Sequence, residues 1–352
     1  MARKKKYTAS IIGTGRIGFT LGFDSKREQP ASHTMALKKN RRIKLLAGCD
    51  TNAPRLSYWH RFNNKCAVFA DASYLFATTK PDIVVVAVNE SSHFSVTLSA
   101  LRAKPSLIIL EKPVALNMEE ARRIQAEAEA LKVPVLVNHE RRFSDDYRFA
   151  KNYMYKIGDI LTVNARLDSG LYVYNPEKEA TGEYSLLHDG THLIDIVNFL
   201  LEKETASDVD SEPVLKDMKI TSLVFDKKKT DVVRSVNVHF KSELCPDVNI
   251  FMSGKSEFFG FEVEVFGTKG RFKIGNGIFE FYKKEESKLY SGFYSLNLDK
   301  KVKAIKKTKY FSNMVKNAVD FLDGKAPLRS TLRTGLDSLY ILEKIKNQII
   351  QN

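Results

Sequence analysis

Three groups of residues in this 352-residue chain have the types and spacing to do chemistry. The first is Glu111-Lys112-Pro113, where the short apolar run Leu107 to Leu110 ends abruptly. Such a run, stopped by a charged pair and a proline, predicts a buried strand whose last residues emerge at the carboxyl edge of a sheet. Open α/β sheets bind ligands at that edge. A lysine held there is a compact cation suited to a developing oxyanion, although the tripeptide alone also reads as a solvated loop lysine. The second group is His188, His192 and Asp195, at i, i+4 and i+7 of a segment, Ser185 to Leu201, whose leucines, isoleucine and valine recur at helical spacing. On one continuous helix the three share a face. Asp195 is then placed to fix the tautomer of His192 and raise its basicity, while two half-buried structural histidines are the plainer alternative. A His-x-x-x-His metal site lacks a clear third ligand, so no metal is expected. Gly190 costs up to about 1 kcal/mol inside a helix and implies a close approach to the backbone. The third group is Gly13-Thr14-Gly15-Arg16-Ile17-Gly18, the GxGxxG spacing. Its first glycine serves a tight turn, the second lets the backbone approach a pyrophosphate, and the third lets a helix pack on a strand.

These residues need elements to hold them. At 352 residues with 43% hydrophobic content, the chain is long enough for two domains with real cores. Tyr7 to Ile12 reads as a strand feeding the glycine motif, and the amides of a following helix would hold phosphates. Ile43 to Gly48 is a second strand ending at Cys49-Asp50, where an acidic residue can bind both adenosine ribose hydroxyls and favour NAD over NADP. Asp50 also suits a simple turn, and nearby Arg55 would suit a 2′-phosphate. Asp50 lies 32 residues beyond Gly18, against roughly 20 in the usual pattern. The excess is placed in the polar stretch Phe23 to Ser32, ahead of a helix over His33 to Lys39. Further helices are expected over Pro54 to Asn63, Tyr74 to Thr78 and up to Ala103, with strands at Ala67 to Ala70 and Ile83 to Val88, the latter apolar on both faces like a central parallel strand. His93 opens the helix after Asn89-Glu90-Ser91-Ser92, as a cap, a packing residue or a cofactor contact. Asn117 caps a helix carrying Glu119 and Glu120 in its first turn and running to about Leu131. Val133 to Asn138 closes the domain, giving a division into 1–138 and 139–352.

Together, GTGRIG, the Asp after the second strand, the loop ending in His93 and Glu111-Lys112-Pro113 resemble the Gfo/Idh/MocA (glucose-fructose oxidoreductase, inositol dehydrogenase) family of nicotinamide-dependent dehydrogenases. The resemblance continues through Asn138-His139-Glu140-Arg141-Arg142-Phe143 with Tyr147, and through His188 to Asp195. It implies an α/β fold with an N-terminal Rossmann domain and a C-terminal α+β domain built on a large, mostly antiparallel open sheet whose outer face commonly forms a homodimer or homotetramer contact. It also implies NAD (or NADP) as cofactor and a sugar, polyol or sugar nucleotide as substrate. The catalytic residues would be Lys112, His192 and His188. Gly13, Gly15, Arg16, Ile17, Gly18, Asp50, His93, Glu111 and Lys112 would line the cofactor, and Asp189, Arg142, Tyr147, Tyr172 and Tyr174 the substrate wall. Two departures stand out. Val88-Asn89-Glu90 replaces the family's Thr-Pro-Asn, and aligning Gly190, His192 and Asp195 puts His188 where the family has Asp, with Asp189 one position along. A non-catalytic sensor with the same fold is the rival reading that this displacement supports.

Beyond Leu201, Glu202 to Asp217 reads as a polar loop. Alternating strands follow at Lys219 to Phe225, Val232 to Phe240, Val248 to Ser253, Phe261 to Phe266, Arg271 to Ile274 and Ile278 to Tyr282. Helical periodicity returns over Tyr310 to Leu322 and Thr331 to Ile349, helices able to pack back on the first domain. The net charge of +14 is spread over scattered lysines, which argues for solvated surface rather than a nucleic-acid partner. Cys49, Cys66 and Cys245 show no paired spacing and suit a reducing, cytoplasmic setting. No apolar run approaches the length of a membrane span.

Overall fold

The computed structural model describes residues 5–203 and 213–351. Residues 204–212, within the expected Glu202 to Asp217 loop, and the start of the basic N-terminus lie outside this description. The chain divides into two compact units: residues up to Ser144 together with Lys307–Leu336, and Asp145–Lys306 together with the chain from Asp337.

In the first unit β1 (Tyr7–Ile12), α1 (His33–Lys39), β2 (Ile43–Cys49), α2 (Ala53–Phe62), β3 (Ala67–Phe69), α3 (Ala72–Thr79), β4 (Ile83–Val86), α4 (His93–Arg102), β5 (Leu107–Leu110), α5 (Met118–Leu131) and β6 (Val135–Val137) alternate. All paired strands are parallel, in the order β3-β2-β1-β4-β5-β6. This order is that of a doubly wound dinucleotide-binding sheet. The strands IVVV and LIIL are buried at every position because helices cover both faces. Short polar residues start the helices as their hydrogen bonding predicts. Asn117 Oδ1 accepts from Glu120 N at 2.9 Å, and Asn52 Oδ1 from Arg55 N at 3.0 Å. Gly48 on β2 is a packing device: a Cβ there would lie 2.8 Å from the ring of fully buried Trp59 on α2. Trp59 anchors that helix, and truncating a buried ring of this size costs about 3–5 kcal/mol.

The expectation of a helix directly after GxGxxG needs correction. Residues 15–21 form only one loose turn, with Phe19 N and Thr20 N both donating to Gly15 O and Leu21 N to Arg16 O. A short 3-10 turn at Thr20–Phe23 and an excursion follow. The helix proper resumes at α1, where His33 N donates to Ile17 O at 3.0 Å and Thr34 N to Gly18 O at 3.0 Å. The extra residues have thus been looped out of a helix that α1 re-enters. Glu28 pins the excursion, its carboxylate accepting from Thr308 N, Thr308 Oγ1 and Lys309 N at the start of a later helix (Tyr310–Leu322), which also belongs to this unit.

The second unit contains α6 (Asp145–Tyr153), β7 (Ile160–Asp168), α7 (Ser185–His188), α8 (Gly190–Leu201) and strands β8 (Lys216–Phe225), β9 (Val233–Lys241), β10 (Val248–Ser253), β11 (Gly260–Gly267), β12 (Gly270–Gly275), β13 (Ile278–Glu286) and β14 (Tyr294–Leu298). The helix at Tyr310–Leu322 is α9, and α10 spans Leu332–Gln351. The eight strands form one sheet, β14-β13-β12-β11-β7-β10-β9-β8, antiparallel except for β7 with β10. One face is a core of Val163, Ala165, Leu167, Ile250, Val263 and their neighbours. The other face carries paired charges such as Arg271 with Glu264 and Lys273 with Glu262, both at 2.9 Å.

Two strands were not anticipated from sequence. β7 lies among helices with no hairpin partner beside it in the chain, and β14 exposes Tyr294, Leu296 and Leu298 on an edge strand, the reverse of the usual polarity. The expected single helix from Ser185 to Leu201 is also corrected. It breaks at Asp189, where His192 N donates to Asp189 O in a tight i to i+3 bond. The close approach foreseen at Gly190 is supplied by the protein itself, since a Cβ there would meet the Met252 methyl at 3.2 Å.

Candidate functional site

The glycine motif sits at the carboxyl end of β1, beside β4, where the strand order reverses. Its three glycines do different work. Gly13 has φ of +95° and a Cβ would lie 2.1 Å from Ala87 O; at Gly18 a Cβ would lie 2.0 Å from Gly13 O. Both are required by the fold. At Gly15 the nearest atom to an added Cβ is Arg55 Nη1, at 3.8 Å. That position is therefore a cradle a ligand can approach, as a bound dinucleotide pyrophosphate requires. Arg16 is exposed and Ile17 half-buried on the same turn. Asp50, at the end of β2, is gripped by this loop: Oδ2 accepts from Thr14 N at 2.8 Å and Thr14 Oγ1 at 3.0 Å, and Oδ1 from Asn52 N at 2.9 Å. A carboxylate offers about four acceptor positions, so this anchoring leaves capacity for a ribose hydroxyl. These residues fit a nicotinamide dinucleotide, and Thr14 was not singled out from the sequence.

At the end of β5, Glu111 turns inward and Lys112 is half-buried at the edge. Glu111 Oε1 accepts from Asn138 Nδ2 and from His33 Nε2, both at 2.6 Å. Burial pushes the Glu111 carboxyl up, but hydrogen bonding and attraction from His33, the Asn138 bond and the Lys112 charge outweigh it and hold the group below its ordinary value. Glu111 is thus a buried carboxylate beside a lysine. His33 was legible only as a helix residue, since nothing in the chain near it announces a partner 78 residues away. His93 is buried, with Nδ1 donating to Pro113 O at 2.6 Å and Nε2 at 3.2 Å from Val88 O. Both ring nitrogens face backbone carbonyls, so the side chain ties the β4 loop to the Lys-Pro turn. Burial lowers its pKa.

In the second unit, the break at Asp189 separates His188, on α7, from His192 and Asp195, on α8. The shared face expected of His188, His192 and Asp195 is therefore not that of one continuous helix. Asp189 Oδ2 accepts from buried Ser169 Oγ at 2.6 Å, and His188 Nε2 lies 4.0 Å from Asp189 Oδ1. Asp195 is buried and accepts from Ser338 Oγ at 3.5 Å. Arg142 and Tyr147 are buried, Arg142 in the first unit and Tyr147 in the second. Tyr172 is half-buried under the Lys255 ammonium. Burial and Glu179 push the phenol of Tyr174 up to about 12, which keeps it protonated at neutral pH.

The sequence model of the Gfo/Idh/MocA oxidoreductases, described as an oxidoreductase family with NAD-binding Rossmann fold, matches residues 8–139. Glucose-6-phosphate 3-dehydrogenase of Bacillus subtilis is 28% identical over 211 residues, 57% of this chain and 59% of that protein. D-glucoside 3-dehydrogenase of Escherichia coli is 26% identical over 166 residues, 45% of this chain and 47% of that protein. The matches thus span about half the length of these relatives. Among solved structures, a dehydrogenase from Chromobacterium violaceum superposes with a TM-score of 0.77 at 14% identity, covering 98% of this chain and 96% of that one. The WlbA dehydrogenase from Bordetella pertussis, in complex with NADH and UDP-GlcNAcA, superposes with a TM-score of 0.74 at 17% identity, covering 99% of this chain and 97% of that one. At such identities the superpositions establish the fold, while residues 8–139 match the NAD-binding Rossmann segment of the Gfo/Idh/MocA oxidoreductases.

Proposed function

We propose that this protein is an NAD-dependent dehydrogenase of a secondary alcohol on a sugar, polyol or sugar nucleotide. The observation that carries the reading is the open cradle at Gly15 on the carboxyl edge of the sheet, with Asp50 ending β2 and Lys112 following β5. The GxGxxG turn would hold the pyrophosphate and Asp50 the adenosine ribose. When bound, nicotinamide accepts or returns the hydride. The chain's own part is placement and proton movement. In this reading His192 takes the hydroxyl proton, Lys112 stabilises negative charge on the substrate oxygen, and His188 or Asp189 orients the substrate. The sugar class is supported by the two 3-dehydrogenase relatives, which makes glucose 6-phosphate and simple glucosides the first compounds to try.

The test is a screen of the purified protein for absorbance change at the reduced-nicotinamide band with NAD, NADP and a panel of free sugars, sugar phosphates, glucosides and sugar nucleotides. Calorimetric titration with NADH and NADPH goes beside it. NADH should bind more tightly, because a 2′-phosphate would meet the Asp50 carboxylate. Equal or reversed affinity would make Arg55 the deciding residue, and an absence of turnover alongside tight NADH binding would favour a sensor.

A further inference from the structure

His33 touches both halves of the first unit's chemistry. Its main-chain N donates to Ile17 O of the GxGxxG turn at 3.0 Å, and its ring bonds Glu111, the residue before Lys112. The ring is fully buried, and Glu111 and Asn138 are buried beside it. We propose that His33 is a positioning residue: through Glu111 it fixes Lys112, and through its main chain it ties that lysine to the GxGxxG turn. This rests on the reading of Lys112 given above.

Burying a carboxylate is costly unless it is bonded on several sides, and well-packed apolar groups would hold a strand end at least as firmly. A carboxylate kept there therefore points to its charge. The side chains acting on it are His33 from α1, Asn138 after β6 and Lys112 on its own strand end, while His93 on α4 feels it in turn. Without His33 the burial cost is left with fewer opposing bonds, so Glu111 would take up a proton at higher pH and Lys112 would lose a fixed negative neighbour.

Two variants separate this from a merely structural role. His33→Leu fills the space without a donor, and His33→Gln restores an N–H. With a substrate found in the screen, His33→Leu should lower kcat by about 10- to 100-fold with KM changed by less than about threefold, and give kcat a new acid limb. His33→Gln should recover most of the loss. In a Lys112→Met background the same His33→Leu change should have almost no further effect, as coupled residues behave. A substrate-free measurement runs beside these: acetic anhydride labelling of Lys112, followed by mass spectrometry of its peptide with other lysines as reference. Its rate should change about threefold or more in His33→Leu and return in His33→Gln. Wild-type kinetics and unchanged labelling in His33→Leu would overturn the proposal, as would equal defects in the Leu and Gln variants with NADH binding retained. Should His33→Leu fail to fold, Asn138→Leu removes the other donor to the same Oε1 and is read identically. If Lys112→Met itself turns over normally, the assignment of Lys112 fails. Altered labelling would then keep His33 as the residue that positions this strand end.

Discussion

Replacing Gly15 with alanine separates ligand binding from folding. Beyond its chain neighbours, the nearest atom to the added Cβ is Arg55 Nη1 at 3.8 Å, and the residue does not need a left-handed backbone. The variant should fold with a melting temperature close to that of the parent. The methyl group instead occupies the side from which a pyrophosphate would approach the turn. Displacing a phosphate by about 1 Å stretches charge-assisted N–H bonds from about 2.9 Å beyond hydrogen-bonding range. Losing one such bond is worth about 1.5–3 kcal/mol, so NADH affinity should fall by roughly 10- to 150-fold. Calorimetric titration of parent and variant, with thermal melts of both, makes the comparison. The control is Gly18→Ala, whose Cβ would lie 2.0 Å from Gly13 O and which should lower the melting temperature itself. If Gly15→Ala binds NADH as the parent does, the pyrophosphate does not cross Gly15 and the assignment of this loop is wrong.

Lys112→Met, which keeps most of the apolar stem, should retain NADH binding while turnover falls by about two orders of magnitude or more; undiminished turnover on a confirmed substrate would remove this lysine from the mechanism. At the helix break, steady-state kinetics of His188→Asn and Asp189→Asn decide which residue serves the substrate: we expect the His188 change to lower kcat/KM and alter its acid limb, with Asp189→Asn milder, and the opposite ranking would assign the role to the Ser169-bonded carboxylate. His93 predicts a pH dependence of stability. Its folded-state pKa lies below the ordinary 6.5 because of burial, so its contribution is complete above that pH and is lost as pH falls through the lowered value. His93→Asn should cost about 1–3 kcal/mol at neutral pH through the lost bond to Pro113 O, yet melt with a shallower decline as the pH falls below about 6.5. Parallel declines in the two proteins would show that another group sets the slope.

Local pattern was enough to read much of this protein. The β1 bounds and the α9 bounds follow from apolar runs and helical period, because both elements are set by their own residues. The glycine motif, Asp50 and the strand end at Glu111-Lys112 were legible for the same reason, as was the surplus before His33, since spacing along a chain survives folding. Contacts between distant residues were not. That the surplus is looped out of a helix which then resumes depends on His33 and Thr34 reaching back to Ile17 and Gly18. The bond from His33 to Glu111 joins residues on two different elements. Periodicity also could not show the break at Asp189, because Leu186, Leu187, Leu193 and Ile194 keep helical spacing across it. β7 reached the middle of its sheet only by pairing with β10 and β11, both far along the chain. Sequence thus determined which chemical groups stand at strand ends and turns, where the backbone's own preferences act over a few residues. Tertiary structure decided which buried polar groups face one another, because the cost of desolvating them is settled only by partners that the fold brings from elsewhere.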